Sequence, residues 1–385
     1  MAKRVILIVI DGFGIGWLPD AFEYGDEGSN TFASVAAGLK TPIMQRLGLF
    51  EILDGYSRGG EIVGTYGKMS ELSKGKDTSA GHFELAGFVT KIPFRTYPEG
   101  FPGDMVNKLE KIFGTKIIGN ESASGTEIIN RLGDKHLATK YPIVYTSADS
   151  VMQIATHINI YPIERLYEMC EAAKASMSPE NRVGRVIARP FSGASGNYAR
   201  TPERKDFGIP PDGDTILDKC SSQGLPAVGV GKIRDIFCGK GVNAHYEAHG
   251  NEECFEATIR AIKEHKGGLI FTNLVDTDMV YGHRNDVEGY RKCLERVDEF
   301  LSKLLCQLEK DDILIVTSDH GCDPQFHTTD HTREYVPLMI YGEKIAKGKN
   351  IGTLNGFINV ADIVCEHLSL PLYRQNNIYK DIIVE

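Results

Sequence analysis

The feature that most constrains the fold is an apolar run near the C-terminus that ends in an acid and an imidazole. Residues 313–316 are Ile-Leu-Ile-Val, and Thr317 and Ser318 lead directly into Asp319 and His320. Such a short apolar run predicts a buried strand of a parallel sheet. Ligands of open α/β sheets bind at the carboxyl ends of the strands, and Asp and His are ligands for divalent cations. Alone, such a pair is more often part of a solvated turn than a ligand pair, and a third potential ligand in the loop that follows, His331, makes the two interpretations about equal.

Two further predicted strands end in the same way. Residues 5–10 are continuously apolar and are followed by Asp11, and residues 268–275 are followed by Asp276 and Asp278. Taken singly, each carboxylate is as compatible with a helix N-cap as with a ligand. Because the carboxyl ends of parallel strands share one edge of the sheet, we expect these carboxylates to lie beside that of the first stretch.

Three histidines follow the same strands. His320 is adjacent to Asp319, while His283 and His331 lie in the segments after the strands at 268–275 and 313–317. Three carboxylates and three imidazoles are more than one mononuclear site needs, whereas two metal ions that clamp one phosphoryl group would use them all. The spacing predicts a two-metal site but does not choose between the two carboxylates after the strand at 268–275.

The remaining pattern predicts an α/β fold, a doubly wound parallel sheet core with an inserted smaller α/β domain. Strands alternate with helical segments such as residues 287–308, as in doubly wound sheets. From about residue 93 to residue 213, prolines, glycines and tyrosines are frequent and a second α/β pattern appears. We therefore predict a core domain of residues 1–92 and 214–385 and an inserted domain of residues 93–213.

Composition excludes several classes of function. The 385-residue chain has a formal net charge of -9, which argues against general nucleic-acid binding because that needs a basic face. The eight cysteines form no CxxC pair, as expected for reduced thiols in the cytoplasm. No apolar stretch is long enough for a membrane span, so we expect neither membrane nor nucleic-acid partners.

A hydroxyl-bearing segment precedes a predicted helix. Thr78 and Ser79 are followed by the helical residues 83–86. Hydroxyls at a helix N-terminus are well placed to meet a phosphate, because backbone N–H groups and the helix dipole favour anions there. The alternative is that one of the two merely caps the helix. Spacing does not decide between the two residues.

Four arginines are concentrated near the end of the predicted inserted domain, at Arg185, Arg189, Arg200 and Arg204. They form either a solvated face or a clamp for a phosphate, which the planar guanidinium group suits.

Several short motifs carry a resemblance to a known family. VIDGFG at 9–14, KDTSAGH at 76–82, DTDMVYGHR at 276–284 and SDHGCDP at 318–324 resemble the alkaline phosphatase superfamily. Within it, ARPF at 188–191, RTP at 200–202 and HTREYVP at 331–337 are similar to the phosphopentomutase family, and the likeness spans nearly the whole chain.

The resemblance implies an alkaline-phosphatase-like fold with the inserted domain as its cap. It implies an isomerase that interconverts ribose or deoxyribose 1-phosphate and 5-phosphate, with a sugar bisphosphate such as glucose 1,6-bisphosphate as activator. Thr78 matches the phosphorylated threonine of the family and would bridge two Mn²⁺ ions. The implied ligands are Asp278, His283 and His331 for one ion and Asp11, Asp319 and His320 for the other.

Substrate contacts are implied less specifically. The pentose phosphate is expected to meet the cap, and the candidate residues are Ser147, Asp149, Arg185, Arg189, Arg200 and Lys232. Three other functions stay open at this point. They are a cofactor-independent phosphoglycerate mutase, which uses serine where Thr78 stands, a metal-dependent phosphatase, and a metal-stabilised binding module without activity.

Overall fold

The computed structural model describes residues 3–147 and 150–384. The chain divides into two compact units. The core unit comprises Met1–Lys91 and Pro210–Glu385, and the inserted unit comprises Ile92–Ile209.

The strands, in chain order, are β1 (Arg4–Ile10), β2 (Thr65–Ser70), β3 (Ile118–Ser122), β4 (Ile143–Thr146), β5 (Val151–His157), β6 (Arg185–Ala194), β7 (Asn197–Arg200), β8 (Lys205–Gly208), β9 (Ala227–Val230), β10 (Ala244–Tyr246), β11 (Gly268–Leu274), β12 (Asp312–Thr317), β13 (Val336–Tyr341) and β14 (Asn350–Asn355).

The α-helices are α1 (Thr31–Ala36), α2 (Pro42–Leu47), α3 (Thr78–Leu85), α4 (Gly103–Phe113), α5 (Gly125–Thr139), α6 (Ile163–Ser176), α7 (Ile216–Ser222), α8 (Ile233–Ile236), α9 (Asn251–Glu264), α10 (Val287–Leu305), α11 (Ile358–Leu368) and α12 (Ile378–Ile382). None of the helices in the described part of the chain is both long enough and apolar enough to span a membrane.

The core unit is built on an eight-stranded sheet in the order β10-β9-β11-β1-β12-β13-β2-β14. The strands from β10 to β12 are parallel, and every residue of β1, β11 and β12 is buried. Burial on both faces is what continuous apolar runs predict. Because β11, β1 and β12 are neighbours, the carboxyl ends of these three strands lie side by side.

One strand departs from the parallel pattern. β13 runs antiparallel to both β12 and β2, so the core sheet is mixed although mostly parallel. The segment between β12 and β13 therefore leaves and returns at the same edge of the sheet. Gly321 and Thr332 pair at the base of this loop, with N···O distances of 3.1 and 2.8 Å between their backbones. This pairing places both ends of the loop at the edge where β1 and β11 also end.

The inserted unit has a separate sheet and core. Its sheet has the order β3-β4-β5-β6-β7, with β8 paired to β6. β5 is buried at every position and runs parallel to β6. Apolar side chains of α4 and α6, among them Leu109 and Leu166, form one buried cluster, and those of α5, among them Ile128, belong to another. The unit thus has the hydrophobic core of a domain.

Candidate metal centre

Four candidate ligands lie at the adjoining ends of three strands. Asp11 follows β1, and Asp319 and His320 follow β12. Asp278 lies in a single π-helical turn, Thr277–Tyr281, directly after β11. The hydroxyl of Thr277 donates to the carbonyl oxygen of Asp11 at 2.6 Å, which fixes this turn against the end of β1.

The first ligand group consists of Asp11, Asp319 and His320, all of them buried. The Nε2 atom of His320 lies 3.3 Å from an oxygen of each carboxylate. Its Nδ1 atom lies 3.0 Å from the carbonyl oxygen of Gly321, which only accepts hydrogen bonds. In the neutral ring Nδ1 therefore carries the proton, and the lone pair of Nε2 points at the carboxylates.

The second group surrounds Asp278. Its two oxygens lie 3.3 Å from Nε2 of His283 and 3.3 Å from Nε2 of His331. These two nitrogen atoms are 3.1 Å apart, and Nδ1 of His283 donates to the carbonyl oxygen of Thr329 at 2.6 Å. The donor atoms of Asp278, His283 and Cys322 lie within 4.8 Å of one another, and so do those of Asp278, His320 and His331, so His320 borders both groups.

The donor atoms fit divalent cations. Asp11 Oδ1 and Asp278 Oδ1 are buried, and neither has a hydrogen-bond partner among the described residues. A buried carboxylate oxygen without a partner is costly, and imidazole lone pairs that converge on it add repulsion. A cation between them removes both costs. Carboxylate oxygen suits Mn²⁺ and Mg²⁺, and imidazole nitrogen suits Zn²⁺.

The pKa values of these carboxylates and imidazoles reflect how closely the groups are packed. Burial, together with the nearby charge of Asp319, raises the pKa of Asp11. Burial would also raise the pKa of Asp278, but His283 and His331, each 3.3 Å from one of its oxygens, outweigh it and the pKa is lowered. The hydrogen bond to Asp278 raises the pKa of His283 to about 9. The negative charge of these carboxylates therefore favours a positive charge between them.

Thr78 lies beside the first group. It is the first residue of α3, and its hydroxyl oxygen is 3.2 Å from Nε2 of His320. The N-cap of α3 is Asp77, whose carboxylate accepts from the backbone N–H groups of Ser79 and Ala80. Capping therefore falls to neither of the two hydroxyl residues, and the Thr78 side chain remains available at the metal centre.

The fold gives different contacts to Asp276 and Asp278, between which the sequence spacing could not choose a metal ligand. Asp278 belongs to the second ligand group, whereas Asp276 Oδ2 accepts from the backbone N–H of Asn251 at 2.9 Å. Asn251 is the first residue of α9, so Asp276 satisfies a free N–H at the start of that helix.

Two residues of the centre escaped the sequence analysis. His82 Nδ1 lies 2.9 Å from the carbonyl oxygen of Thr78 and 3.0 Å from Asp319 Oδ2. Asn273 donates to Asp11 Oδ2 at 2.9 Å. The available signals were the spacing of four residues between Thr78 and His82, which places both on one helix face, and an amide within a fully buried strand.

The predicted substrate-binding residues fall in both units. In the inserted unit, Ser147 follows β4, Arg185 is exposed and lies 3.7 Å from Asp206, and Asp149 is outside the described residues. In the core unit, Lys232 follows β9, and its Nζ atom lies 3.5 Å from the sulfur of Met279.

Arg189 and Arg200 of the inserted unit are brought together around Tyr145. Nε of Arg189 donates to Gln153 Oε1 at 3.0 Å. Burial raises the pKa of Tyr145, and the charges of Arg200 and Arg189 oppose that rise. Burial, and then the charge of Arg204, lower the pKa of Arg189. Such crowded guanidinium groups favour a counter-anion.

The site defines a metalloenzyme. A family model described as the metalloenzyme superfamily matches residues 234–372, which contain five of the six candidate ligands. The chain is 48% identical to a phosphopentomutase from Caldanaerobacter subterraneus subsp. tengcongensis, with 99% of this chain and 98% of that one covered. It is 50% identical to a phosphopentomutase from Carboxydothermus hydrogenoformans over 93% of this chain and 94% of that one. The chain belongs to the phosphopentomutase family, which confirms the predicted family.

Among solved structures, the PH0037 protein from Pyrococcus horikoshii has a TM-score of 0.50 over 98% of both chains at 13% identity. At that identity the likeness concerns the fold alone. The mostly parallel core sheet and this structural relative together confirm the predicted α/β fold class.

Proposed function

We propose that this chain interconverts the 1-phosphate and the 5-phosphate of ribose or deoxyribose by phosphoryl transfer through Thr78. The observation that carries the mechanism is the position of the Thr78 hydroxyl, 3.2 Å from His320 and next to two groups of metal-ligating side chains. The relatives at about half identity over the whole chain support the same activity.

Two Mn²⁺ ions are the proposed cofactors, with Asp11, Asp319 and His320 as one ligand set and Asp278, His283 and His331 as the other. When bound, such ions neutralise charge on the transferring phosphoryl group and lower the pKa of the Thr78 hydroxyl. A free threonine hydroxyl is a poor nucleophile at neutral pH, so the reaction needs this activation.

The chain's own residues account for the remaining steps. Phosphorylated Thr78 transfers its phosphoryl group to the free hydroxyl of the pentose phosphate, so the Oγ–P bond breaks and a bond from phosphorus to the sugar oxygen forms. The product is a pentose 1,5-bisphosphate. After it reorients, its other phosphoryl group returns to Thr78 and the isomeric monophosphate leaves. A sugar bisphosphate such as glucose 1,6-bisphosphate supplies the first phosphoryl group.

The arginines of the inserted unit are the proposed phosphate-binding residues. The half-buried Arg189 and the exposed Arg200 lie around Tyr145 and support this function better than Arg185, which lies 3.7 Å from Asp206. Ser147, Asp149 and Lys232 stay predicted contacts. The cytoplasm is the proposed compartment, supported by eight scattered cysteines without a CxxC pair.

The decisive assay couples ribose 5-phosphate formation to a reporter enzyme, with ribose 1-phosphate as substrate and Mn²⁺ present. Parallel reactions with 3-phosphoglycerate and with p-nitrophenyl phosphate test the phosphoglycerate mutase and the phosphatase. Turnover of either of these in place of ribose 1-phosphate would refute the proposal. Turnover of none, with two Mn²⁺ equivalents bound, would support the inactive binding module.

The nucleophile is tested separately by labelling with glucose 1,6-bisphosphate and mapping phosphopeptides by mass spectrometry. Thr78→Ala should keep the fold and most metal binding but lose mutase activity, whereas Thr78→Ser should keep a fraction of it because the hydroxyl remains. Ser79→Ala is the matched control and should be labelled as the wild type is. Phosphate on Ser79 would show that another residue is the nucleophile.

A further inference from the structure

A fully buried histidine joins the proposed nucleophile to the metal centre. His82 is 0% exposed and lies four residues after Thr78 in α3, on the same face of the helix. Its ring stacks on Phe271 of β11, with the ring centroids 5.8 Å apart and the planes at 18°. Stacking explains why a flat ring fits here, but it does not explain why the ring carries two nitrogen atoms with partners.

The partners determine which nitrogen carries the proton. Nδ1 lies 2.9 Å from the Thr78 carbonyl oxygen and 3.0 Å from Asp319 Oδ2, and both of these atoms accept hydrogen bonds. Nε2 lies 3.0 Å from the amide nitrogen of Asn273, which only donates. Nδ1 of His82 therefore carries a proton and donates, and Nε2 accepts.

The orientation of Asn273 follows from its other contact. The same amide nitrogen lies 2.9 Å from Asp11 Oδ2, and a carboxylate in this position accepts. The two amide hydrogens of Asn273 thus serve Asp11 and His82. Hydrogen bonds run from Asp11 through Asn273 to His82 and on to the Thr78 carbonyl oxygen. The Nδ1 atom of His82 also lies 3.0 Å from Asp319 Oδ2, a buried oxygen that has no hydrogen-bond partner among the described residues.

We propose that His82 is a positioning residue for the centre formed by Asp11, Asp319 and His320 and for the Thr78 backbone. Two carboxylates of one metal site repel each other when no cation is between them, so their separation has to be imposed from outside. The hydrogen bond from Asn273 holds one oxygen of Asp11, and the Nδ1–H of His82, 3.0 Å from Asp319 Oδ2, attracts the other carboxylate. The contact with the Thr78 carbonyl ties the first turn of α3 to the same frame. Partners of this kind typically change metal affinity about 10–100-fold when removed.

The experiment uses Mn²⁺ as the probe and calorimetric titration of the metal-free protein as the readout. His82→Phe keeps a flat ring for stacking but removes both nitrogen atoms, and His82→Asn keeps a donor near the Nδ1 position. His367→Asn is the matched control. His367 is also buried, at 4% exposure, and its nitrogen atoms meet the Tyr379 hydroxyl and the Asp311 carbonyl, beside the amino end of β12.

The expected result is selective. His82→Phe should bind one equivalent of Mn²⁺ as the wild type does and the other about 10–100-fold more weakly. His82→Asn should recover much of the loss, and His367→Asn should bind both equivalents normally. In the mutase assay kcat should fall while KM for ribose 1-phosphate stays constant, because the proposed phosphate-binding arginines are untouched.

Two results would overturn the proposal. One is wild-type affinity for both equivalents in folded His82→Phe. The other is equal weakening of both equivalents with a lower melting temperature of the metal-free protein, which indicates a packing role alone. If His82→Phe does not fold, Asn273→Ala breaks the same series of hydrogen bonds at its other end, and wild-type affinity in that variant would equally overturn the proposal.

Only the kcat measurement rests on the proposed function. A wild-type protein that binds two Mn²⁺ equivalents but does not convert ribose 1-phosphate would refute the activity and leave the role of His82 to the titration. An active wild type whose His82 variants bind Mn²⁺ normally would support the proposed activity and refute the role of His82.

Discussion

Replacing Gly81 by alanine should displace the proposed nucleophile from the proposed ligand Asp319 without changing either side chain. A Cβ atom at Gly81 would lie 2.1 Å from the backbone oxygen of Asp319, whereas real Cβ contacts are essentially never shorter than 3.0 Å. The obstacle is backbone, which cannot rotate away as a side chain does. The start of α3 must therefore withdraw by about 0.9 Å from the end of β12, and Thr78 moves with it.

A displacement of that size has a calculable effect. Misplacing a reacting group by about 1 Å costs on the order of 100-fold in rate, and overpacking costs about 1–3 kcal/mol of stability. We expect Gly81→Ala to fold, to melt at a lower temperature and to lose about 100-fold in kcat. The measurements are the coupled ribose 1-phosphate assay and thermal denaturation followed by circular dichroism.

The matched control is Gly103→Ala at the first position of α4. No atom lies within 4 Å of a Cβ placed there, so alanine should be neutral or stabilising by up to about 1 kcal/mol. Wild-type kcat in folded Gly81→Ala would refute the argument, because it would show that the packing of α3 on the end of β12 does not hold Thr78.

Three more predictions follow from the structure. Asp278→Asn should abolish turnover and weaken Mn²⁺ binding, whereas Asp276→Asn should bind Mn²⁺ normally and lose only about 1 kcal/mol of stability at the start of α9. Calorimetry measures Mn²⁺ binding by both variants, and equal affinities would contradict the assignment of Asp278 as the ligand. Arg189→Ala should raise KM for ribose 1-phosphate about tenfold or more, from the loss of roughly 1.5–3 kcal/mol, while Arg165→Ala, at an exposed ion pair, should leave KM unchanged. Burial lowers the pKa of His367 from 6.5 to about 4, so the unfolded chain binds the extra proton between these values and stability falls as the pH drops through that window. His367→Gln should remove a pH-dependent difference on the order of 3 kcal/mol between pH 7.5 and pH 4, measured by urea denaturation, and identical pH slopes would contradict the prediction.

The strand-end ligands could be predicted from sequence because each follows a continuous apolar run. A buried parallel strand fixes the position of its last residue, so Asp11 and Asp319 had to reach one edge once β1 and β12 were neighbours. The direction of β13 could not be predicted in this way. Its apolar run is equally compatible with either direction, since burial on both faces does not depend on the hydrogen-bonding pattern.

The other residues of the site could not be predicted, because their roles depend on contacts between segments that are distant in sequence. Asp276 and Asp278 are two residues apart and chemically identical, and only the position of α9 assigns the former to a helix start. His82 and Asn273 were missed because each looks like an isolated polar residue in its own segment. Their meaning depends on a contact between α3 and β11, which are 191 residues apart at this point.

The antiparallel return of β13 also determines where this chain can tolerate changes in length. The pairing of Gly321 with Thr332 closes the loop at its base and thereby fixes the register of His331, whatever the length of chain between them. The entropy of closing a loop rises by only about 0.6 kcal/mol for each doubling of its length. Insertions at the tip, near residues 325–328, should therefore cost little stability. A single residue inserted between His331 and β13 would instead shift His331 out of register.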